Sequence, residues 1–327
     1  MRILHSLFVA ALSVLLGLCL GAQALAQSFP VKPLKLVVPF PPGGPTDAIG
    51  RQLTQRMGEA MGQPFIVENR PGAGAQLAMG AVVQGGPDGH TLFFGSSSFT
   101  TYAPYLLPTV QYEPEKVLAA VGRIGSAPYV LVVNADKIPS RTLRDFVAYS
   151  KARPDELNWA SPGIGVLHHL IGEHFKQVTG ASFVHIPSKG TAGSILSLLA
   201  GETPVYWDNI FGLEPHIKSG KVVPITVTST QRMSQLPNTP TMIESGYPGF
   251  DLVAWWGFFV PAGTPAPAIQ RLNAELNRAL ASAEFVRWLE SQGGIAQPTS
   301  PEEFNAFWAA ERTRLGAIAK AVGLKAN

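Results

Sequence analysis

Short β-like runs alternate with helix-like patterns along nearly the whole of this chain. Leu34–Val38, Phe65–Glu68 and Thr91–Phe94 read as strands, with helical spacing over Thr46–Met61 and Ala75–Val83 between them. Ile49, Leu53, Met57 and Met61 fall at i, i+4, i+8 and i+12, one face of a helix. The alternation resumes with strands at Tyr129–Val133, Leu157–Ala160, Phe183–Ile186, Thr203–Trp207 and Val222–Thr228. A helix over Leu143–Ala152 opens on Thr142 with Asp145 three residues on, the pattern of a capping box. Pro265–Leu280, Glu284–Ser291 and Pro301–Val322 close the chain as helices, the last behind a Ser300-Pro301-Glu302-Glu303 start signal. Strand–helix alternation of this period predicts an α/β fold with parallel-rich sheets flanked by helices.

The 327 residues suggest two lobes. No long flexible linker separates the two sets of βα units, which favours lobes joined by crossing strands. Gly122–Val133 and Leu252–Val260 are the candidate crossings. On that reading 27–123 and 252–327 form a discontinuous first lobe, and 124–251 form the second.

Arg2, the apolar run Ile3–Leu20 and the small-residue site Ala24-Leu25-Ala26 predict a cleavable export signal over 1–26. Its removal takes away Cys19, the single cysteine, and one of 25 basic side chains, leaving 24 against 22 acidic ones. The mature chain then has no cysteine and must be stabilised by its core alone. A balance of +2 with scattered lysines and arginines argues against nucleic acid as a partner. No remaining apolar run is long enough to span a bilayer.

Two glycine loops stand out: Phe40-Pro41-Pro42-Gly43-Gly44-Pro45-Thr46-Asp47 and Ser161-Pro162-Gly163-Ile164-Gly165. Each follows an apolar run and opens a helical pattern. A helix N-terminus has unpaired backbone N–H groups and the positive end of the dipole, and glycine lets an anion approach closely. Two such ends over a hundred residues apart suggest one anion held between two lobes. Thr46 could supply a hydroxyl, whereas the Asp47 carboxylate suits bracing the loop better than meeting an anion. Ser96-Ser97-Ser98 after a strand suits hydrogen bonding to a ligand, and Asp208 in Trp207-Asp208-Asn209 ends a strand where open α/β sheets bind ligands.

Other chemistries find less support. The P-loop pattern GxxxxGK[ST] is absent. His168, His169, Glu173 and His174 fit neither HExxH nor HxxEH, so no metal site is expected. Gly95-Ser96-Ser97-Ser98 lacks the closing glycine of a nucleophile elbow, and nothing places a triad together. Trp255-Trp256-Gly257-Phe258-Phe259 reads as core and hinge packing.

The ordered set of these loops resembles the periplasmic substrate-binding receptors of tripartite tricarboxylate transporters, the Bug/TctC family. The resemblance runs from Pro39–Asp47 through Glu68–Gly74, Pro87–Leu92, Ser161–Gly165, His185–Gly190, Trp207–Asn209 and Pro215–Lys221 to Pro261–Pro265. It implies a two-lobed, type II Venus-flytrap fold that closes on a small carboxylate, with no catalysis and no cofactor. By position it points to Phe40, Gly44, Thr46, Asp47, Gln76 and Ser96 in the first lobe. In the second it points to Ser161, Gly163, Gly165 and Asp208. The implied setting is a periplasmic monomer serving the permease subunits of such a transporter.

Three positions depart from the family pattern. Val166 stands where Ser or Thr is common, Ser188 where Tyr is usual, and Trp207 where Phe is usual. A lost hydroxyl and a gained indole suggest a less polar pocket, and so a ligand with an apolar or aromatic body and one or two carboxyls. Two other readings stay open: an accessory presenting a ligand to a membrane sensor kinase, and an exported α/β hydrolase.

Overall fold

A computed structural model describes residues 29–102 and 112–324, so the export signal expected over 1–26 lies outside the described residues. Strands β1 (Leu34–Val38), β2 (Phe65–Asn69), β3 (Thr91–Ser96), β4 (Leu118–Pro128), β10 (Val253–Pro261) and β11 (Ile295–Ala296) form one sheet, in the order β11-β4-β10-β3-β1-β2. Strands β5 (Val130–Asn134), β6 (Asn158–Ser161), β7 (Val184–Pro187), β8 (Val205–Asp208) and β9 (Val222–Val227) form a second, in the order β7-β6-β8-β5-β9. The helices are α1 (Pro45–Met61), α2 (Gln76–Gln84), α3 (Pro114–Val117), α4 (Leu143–Lys151), α5 (Leu167–Thr179), α6 (Thr191–Ala200), α7 (Glu214–Lys218), α8 (Ala266–Leu280), α9 (Ala283–Ser291) and α10 (Pro301–Ala321).

Both sheets are mixed. The βα units give parallel pairs, β1 with β2 and β3, and β6 with β7 and β8. The antiparallel pairs arise where a long connection returns to the sheet. β10 comes back between β3 and β4, antiparallel to both, and β5 runs antiparallel to β8 and β9.

The Gly122–Val133 segment is two strands rather than one. β4 ends at Pro128 in the first sheet and β5 starts at Val130 in the second. Tyr129, between them, is anchored twice to Thr228: its amide donates to Thr228 Oγ1 at 2.9 Å, and its carbonyl accepts from the Thr228 amide at 2.9 Å. The return passes through Phe250, which stacks against Trp207 of the second sheet, before β10 enters the first.

Local signals explain the helices that matter for the site. In α1 the predicted Ile49, Leu53, Met57 and Met61 stripe is buried, Pro45 occupies the first turn, and Gly62 closes the helix at φ 67°. Each fully buried aliphatic side chain contributes about 1.5–3 kcal/mol, so this stripe outweighs the helix's weak propensity. α10 carries the full capping box, Ser300 Oγ accepting from the Glu303 amide and the Glu303 carboxylate accepting from the Ser300 amide. At α4 only half of the expected box forms, with the Asp145 amide donating to Thr142 Oγ1. α5 lies directly on β6 because Gly172 has no side chain; a Cβ there would stand 2.1 Å from the Trp159 ring.

Candidate functional site

Loop 1 is shaped by Gly43, at φ 82°, and by Gly44, the extended N-cap residue of α1. Asp47, in the first turn, braces the loop. Its Oδ2 accepts from the Gly43 amide and from Arg51 Nε, both at 3.0 Å, and its Oδ1 accepts from Asn69 Nδ2 at 2.9 Å. The same Asn69 amide donates to the Phe40 carbonyl at 3.0 Å. Burial raises the Asp47 carboxyl, but the bonds from Arg51, Gly43 and Asn69 and the Arg51 charge hold it below its ordinary value. Its oxygens are thus engaged within the protein, and the Thr46 and Asp47 amides in the first turn of α1 have no intrahelical acceptor. Thr46 is buried beside it.

Two further segments adjoin. Gly72, Gly74 and Ala75 adopt positive φ (110°, 60° and 69°) just before Gln76 opens α2. A non-glycine residue held there is uncommon and tends to mark a functional segment. Beyond β3, Ser98–Tyr102 forms one buried π-helical turn. The Tyr112 hydroxyl donates to the Gly74 carbonyl at 2.7 Å and lies 3.2 Å from the Phe99 carbonyl, tying the two segments together. Nothing in the sequence pattern singled out Tyr112, because it lies outside every recognisable loop motif.

Loop 2 is built on Ser161, at the end of β6. Its Oγ accepts from the Gly163 amide (3.2 Å), donates to the Gly163 carbonyl (2.7 Å) and lies 2.7 Å from His185 Nε2. Ser188 donates to the Ser161 carbonyl through both its amide (2.8 Å) and its hydroxyl (3.0 Å). The Ser161 and Ser188 side chains therefore set the loop's shape. Gly163 and Gly165, at φ 152° and 80°, lead to Val166, the N-cap residue of α5. Behind the loop His185 stacks on His169 at 4.1 Å and on Trp159 at 4.5 Å. Burial, the neighbouring imidazole and Lys176 lower His185 to about 3; burial and Lys176 lower His169 to about 4. Both rings are neutral at physiological pH.

The two loops meet. Val166 belongs to the same apolar cluster as Phe40, Ala75 and Phe99. Phe40 and Phe99 lie 5.2 Å apart, and the Leu167 amide at the start of α5 donates to Ser98 Oγ at 3.1 Å. The N-termini of α1, α2 and α5 thus converge on one cleft between the sheets. Asp208 stands at its second-sheet side, but its oxygens are engaged: Oδ1 accepts from the Asn209 amide (2.7 Å) and lies 3.0 Å from His168 Nε2, and Oδ2 accepts from the Tyr206 hydroxyl (2.7 Å). Asp208 orients His168, a residue that the sequence spacing had pointed only toward a metal reading. Among the described residues no group of three or more His, Cys, Asp or Glu could hold a metal.

Trp207 points the other way. It is fully buried in the core of its own lobe, against Phe175 and Phe250. The indole therefore does not line the cleft, which corrects that part of the expected loss of pocket polarity. Strand alternation places Tyr206 and Trp207 on opposite faces of β8 and leaves open which face meets the cleft.

A profile described as the tripartite tricarboxylate transporter family receptor matches residues 49–324. The chain belongs to this receptor family. BugT of Bordetella pertussis is 34% identical over 307 residues, 94% of each chain. R. palustris Rpa4515, solved with adipate, is 29% identical with a TM-score of 0.83, covering 90% of this chain and 98% of its own. MatC (Rpa3494) from Rhodopseudomonas palustris, solved with malate, is 32% identical with a TM-score of 0.81, covering 89% of this chain and 99% of its own. The tripartite tricarboxylate transporter receptors are periplasmic solute-binding proteins, not enzymes, and this chain has their two-sheet α/β fold.

Proposed function

We propose that this protein captures a small carboxylate in the cleft between its two sheets and delivers it to the permease subunits of a tripartite transporter. The observation that carries this reading is the meeting of two glycine-shaped helix N-termini across the cleft, where Leu167 and Val166 of α5 reach Ser98, Phe99 and Phe40. First-turn amides of α1 and α2, and those of α5 other than Leu167 and His169, which are already bonded, supply the donors for one carboxylate. The site residues are Phe40, Gly44, Thr46, Gln76, Ser96, Gly163 and Gly165, with Asp47, Ser161 and Asp208 holding them in place. Phe40, Phe99 and Val166 form an apolar wall, which supports a ligand with a hydrocarbon body. The adipate and malate bound by relatives support the carboxylate class. The export signal read from residues 1–26 and the family's periplasmic setting support work in the periplasm.

A carboxylate bound to both loops favours the closed arrangement because the open one offers it only half the contacts. The test is a calorimetric screen of carboxylates against the mature protein and its Gly163→Asp variant. A Cβ at Gly163 meets nothing closer than the Ser188 carbonyl at 3.9 Å, but φ 152° is a conformation that L residues rarely adopt, so the variant perturbs loop 2 through its backbone as well as its charge. Binding in the parent and none in a folded variant is the expected result. Equal affinity in both would remove loop 2 from the site.

A further inference from the structure

Strand β2 closes one end of the first sheet and pairs with β1 alone. The Arg70 amide donates to the Val38 carbonyl at one end, and the Pro64 carbonyl accepts from the Leu34 amide at the other. Alternation along a parallel ladder then gives the inward bonds to Ile66 and Glu68. Phe65, Val67 and Asn69 turn their backbone N–H and C=O groups out of the sheet, where no described residue meets them. Such a row is a template for another strand. β2 carries neither a proline nor a bulge, and Ile66 is 57% exposed.

The opposite face of β2 borders an open groove beside α1. It is lined by Arg51, Gln55 and Glu59 of the helix and by Phe65 and Val67 of the strand. Helix and strand run in opposite directions. Arg51 lies beside Asn69, with Nη2 3.1 Å from Oδ1, and a Cβ at Gly58 would stand 3.6 Å from the Phe65 ring. Gln55 is therefore level with Val67. Arg51 and Glu59 stand one helical turn to either side of it, so one end of the groove is positive and the other negative. Arg51 spends Nε on Asp47 and Nη2 on Asn69, which leaves Nη1 without a partner among the described residues. Glu59 accepts from Gln55 Nε2 at 3.3 Å and, among the described residues, has no ion pair.

We propose that β2 is the docking edge for a second copy of this chain, in place of the monomer that the family resemblance implies. The two β2 strands run antiparallel about a twofold axis through Val67. In that register Val67 faces its own copy and Phe65 faces Asn69, so every outward amide and carbonyl is paired. The same axis passes Gln55 and sets Arg51 of each copy against Glu59 of the other. A twofold interface needs a surface complementary to itself. A groove with opposite charges at its ends and apolar side chains between them meets that need. Sliding the strands by two residues leaves an outward amide on each unpaired and parts Arg51 from Glu59. Exposed ion pairs contribute little, so the charges fix the register, while strand pairing and the covering of Phe65, Ile66 and Val67 supply the attraction.

Sedimentation of the mature protein over a concentration series is expected to show a reversible monomer–dimer equilibrium. Glu59→Arg sets like charges against each other at both ends of the interface. Val67→Pro removes an outward N–H at the axis without touching the β1 ladder. Each is expected to weaken the dimer about tenfold or more, with thermal melts confirming folding. Residues 27–327 contain no cysteine, so one introduced thiol reports the register. Val67→Cys puts the two thiols on Cα atoms about 5.5 Å apart, within disulfide reach, whereas Ile66→Cys leaves them about 7–8 Å apart. Mild oxidation with diamide is expected to cross-link the first variant and not the second. A mature protein that stays monomeric at millimolar concentration would overturn the proposal. A dimer unaffected by both Glu59→Arg and Val67→Pro would overturn the assignment to β2, and equal cross-linking of the two thiol variants would overturn the register.

Discussion

Acid should loosen this protein through the stacked pair His169 and His185. Their rings lie 4.1 Å apart with planes 15° from parallel, and both are held neutral, to about 4 and about 3. In the unfolded chain each takes up its proton near 6.5. As pH falls below 6.5, the unfolded state binds protons that the native state refuses, so stability falls with pH. The contribution is complete above about 6.5, declines through the window down to each native value, and is flat below it. For one histidine the slope is about 1.4 kcal/mol per pH unit, and His169 alone accounts for about 3 kcal/mol across its window. His169→Phe keeps a flat ring on the stack and removes the titration. Urea unfolding followed by tryptophan fluorescence between about pH 6 and pH 4.5 should show a slope smaller by about 1.4 kcal/mol per pH unit in the variant. That difference amounts to about 2 kcal/mol over the interval. Parallel pH profiles for parent and variant would refute the reasoning. Because native His185 stays neutral throughout that window, its contact with Ser161 Oγ is kept and should not itself change ligand affinity there.

Two other outcomes follow from the site's supports. Asp47→Ala leaves the Gly43 amide without its acceptor and Asn69 Nδ2 with only the Phe40 carbonyl, so it should destabilise by about 1–3 kcal/mol in denaturant unfolding and weaken carboxylate binding by loosening loop 1. Gly172→Ala forces a methyl into the Trp159 ring, and an overpacked core of this kind should cost about 1–3 kcal/mol, read as a lower Tm with a displaced Trp159 emission.

The fold was legible wherever a local rule decided it. The α1 stripe and the Ser300 cap are set by spacing and side-chain chemistry within a few residues, and both appear as expected. The mixed character of the sheets was not legible, since β10 inserts between β3 and β4 from more than a hundred residues away. The candidate site divides in the same manner. The glycine loops announce themselves through backbone requirements, and Asp47 read correctly as a brace. His168 sits in an ordinary helical context, and its tie to Asp208 comes into view only when α5 and β8 are brought together. Trp207 misled because a period of two cannot say which face of β8 meets the cleft.

The last helix touches both lobes. Trp308 of α10 donates its indole N–H to the Thr100 carbonyl at 2.8 Å, inside the Ser98–Tyr102 turn. One end later, the Ala321 carbonyl accepts from Gln177 of α5 at 3.1 Å. Any hinge movement that separates loop 2 from that turn must therefore strain, slide or release one of these attachments. The outer face of α10 becomes a mechanical readout: a fluorophore placed there, far from the cleft, would register capture of cargo as a change in its own surroundings.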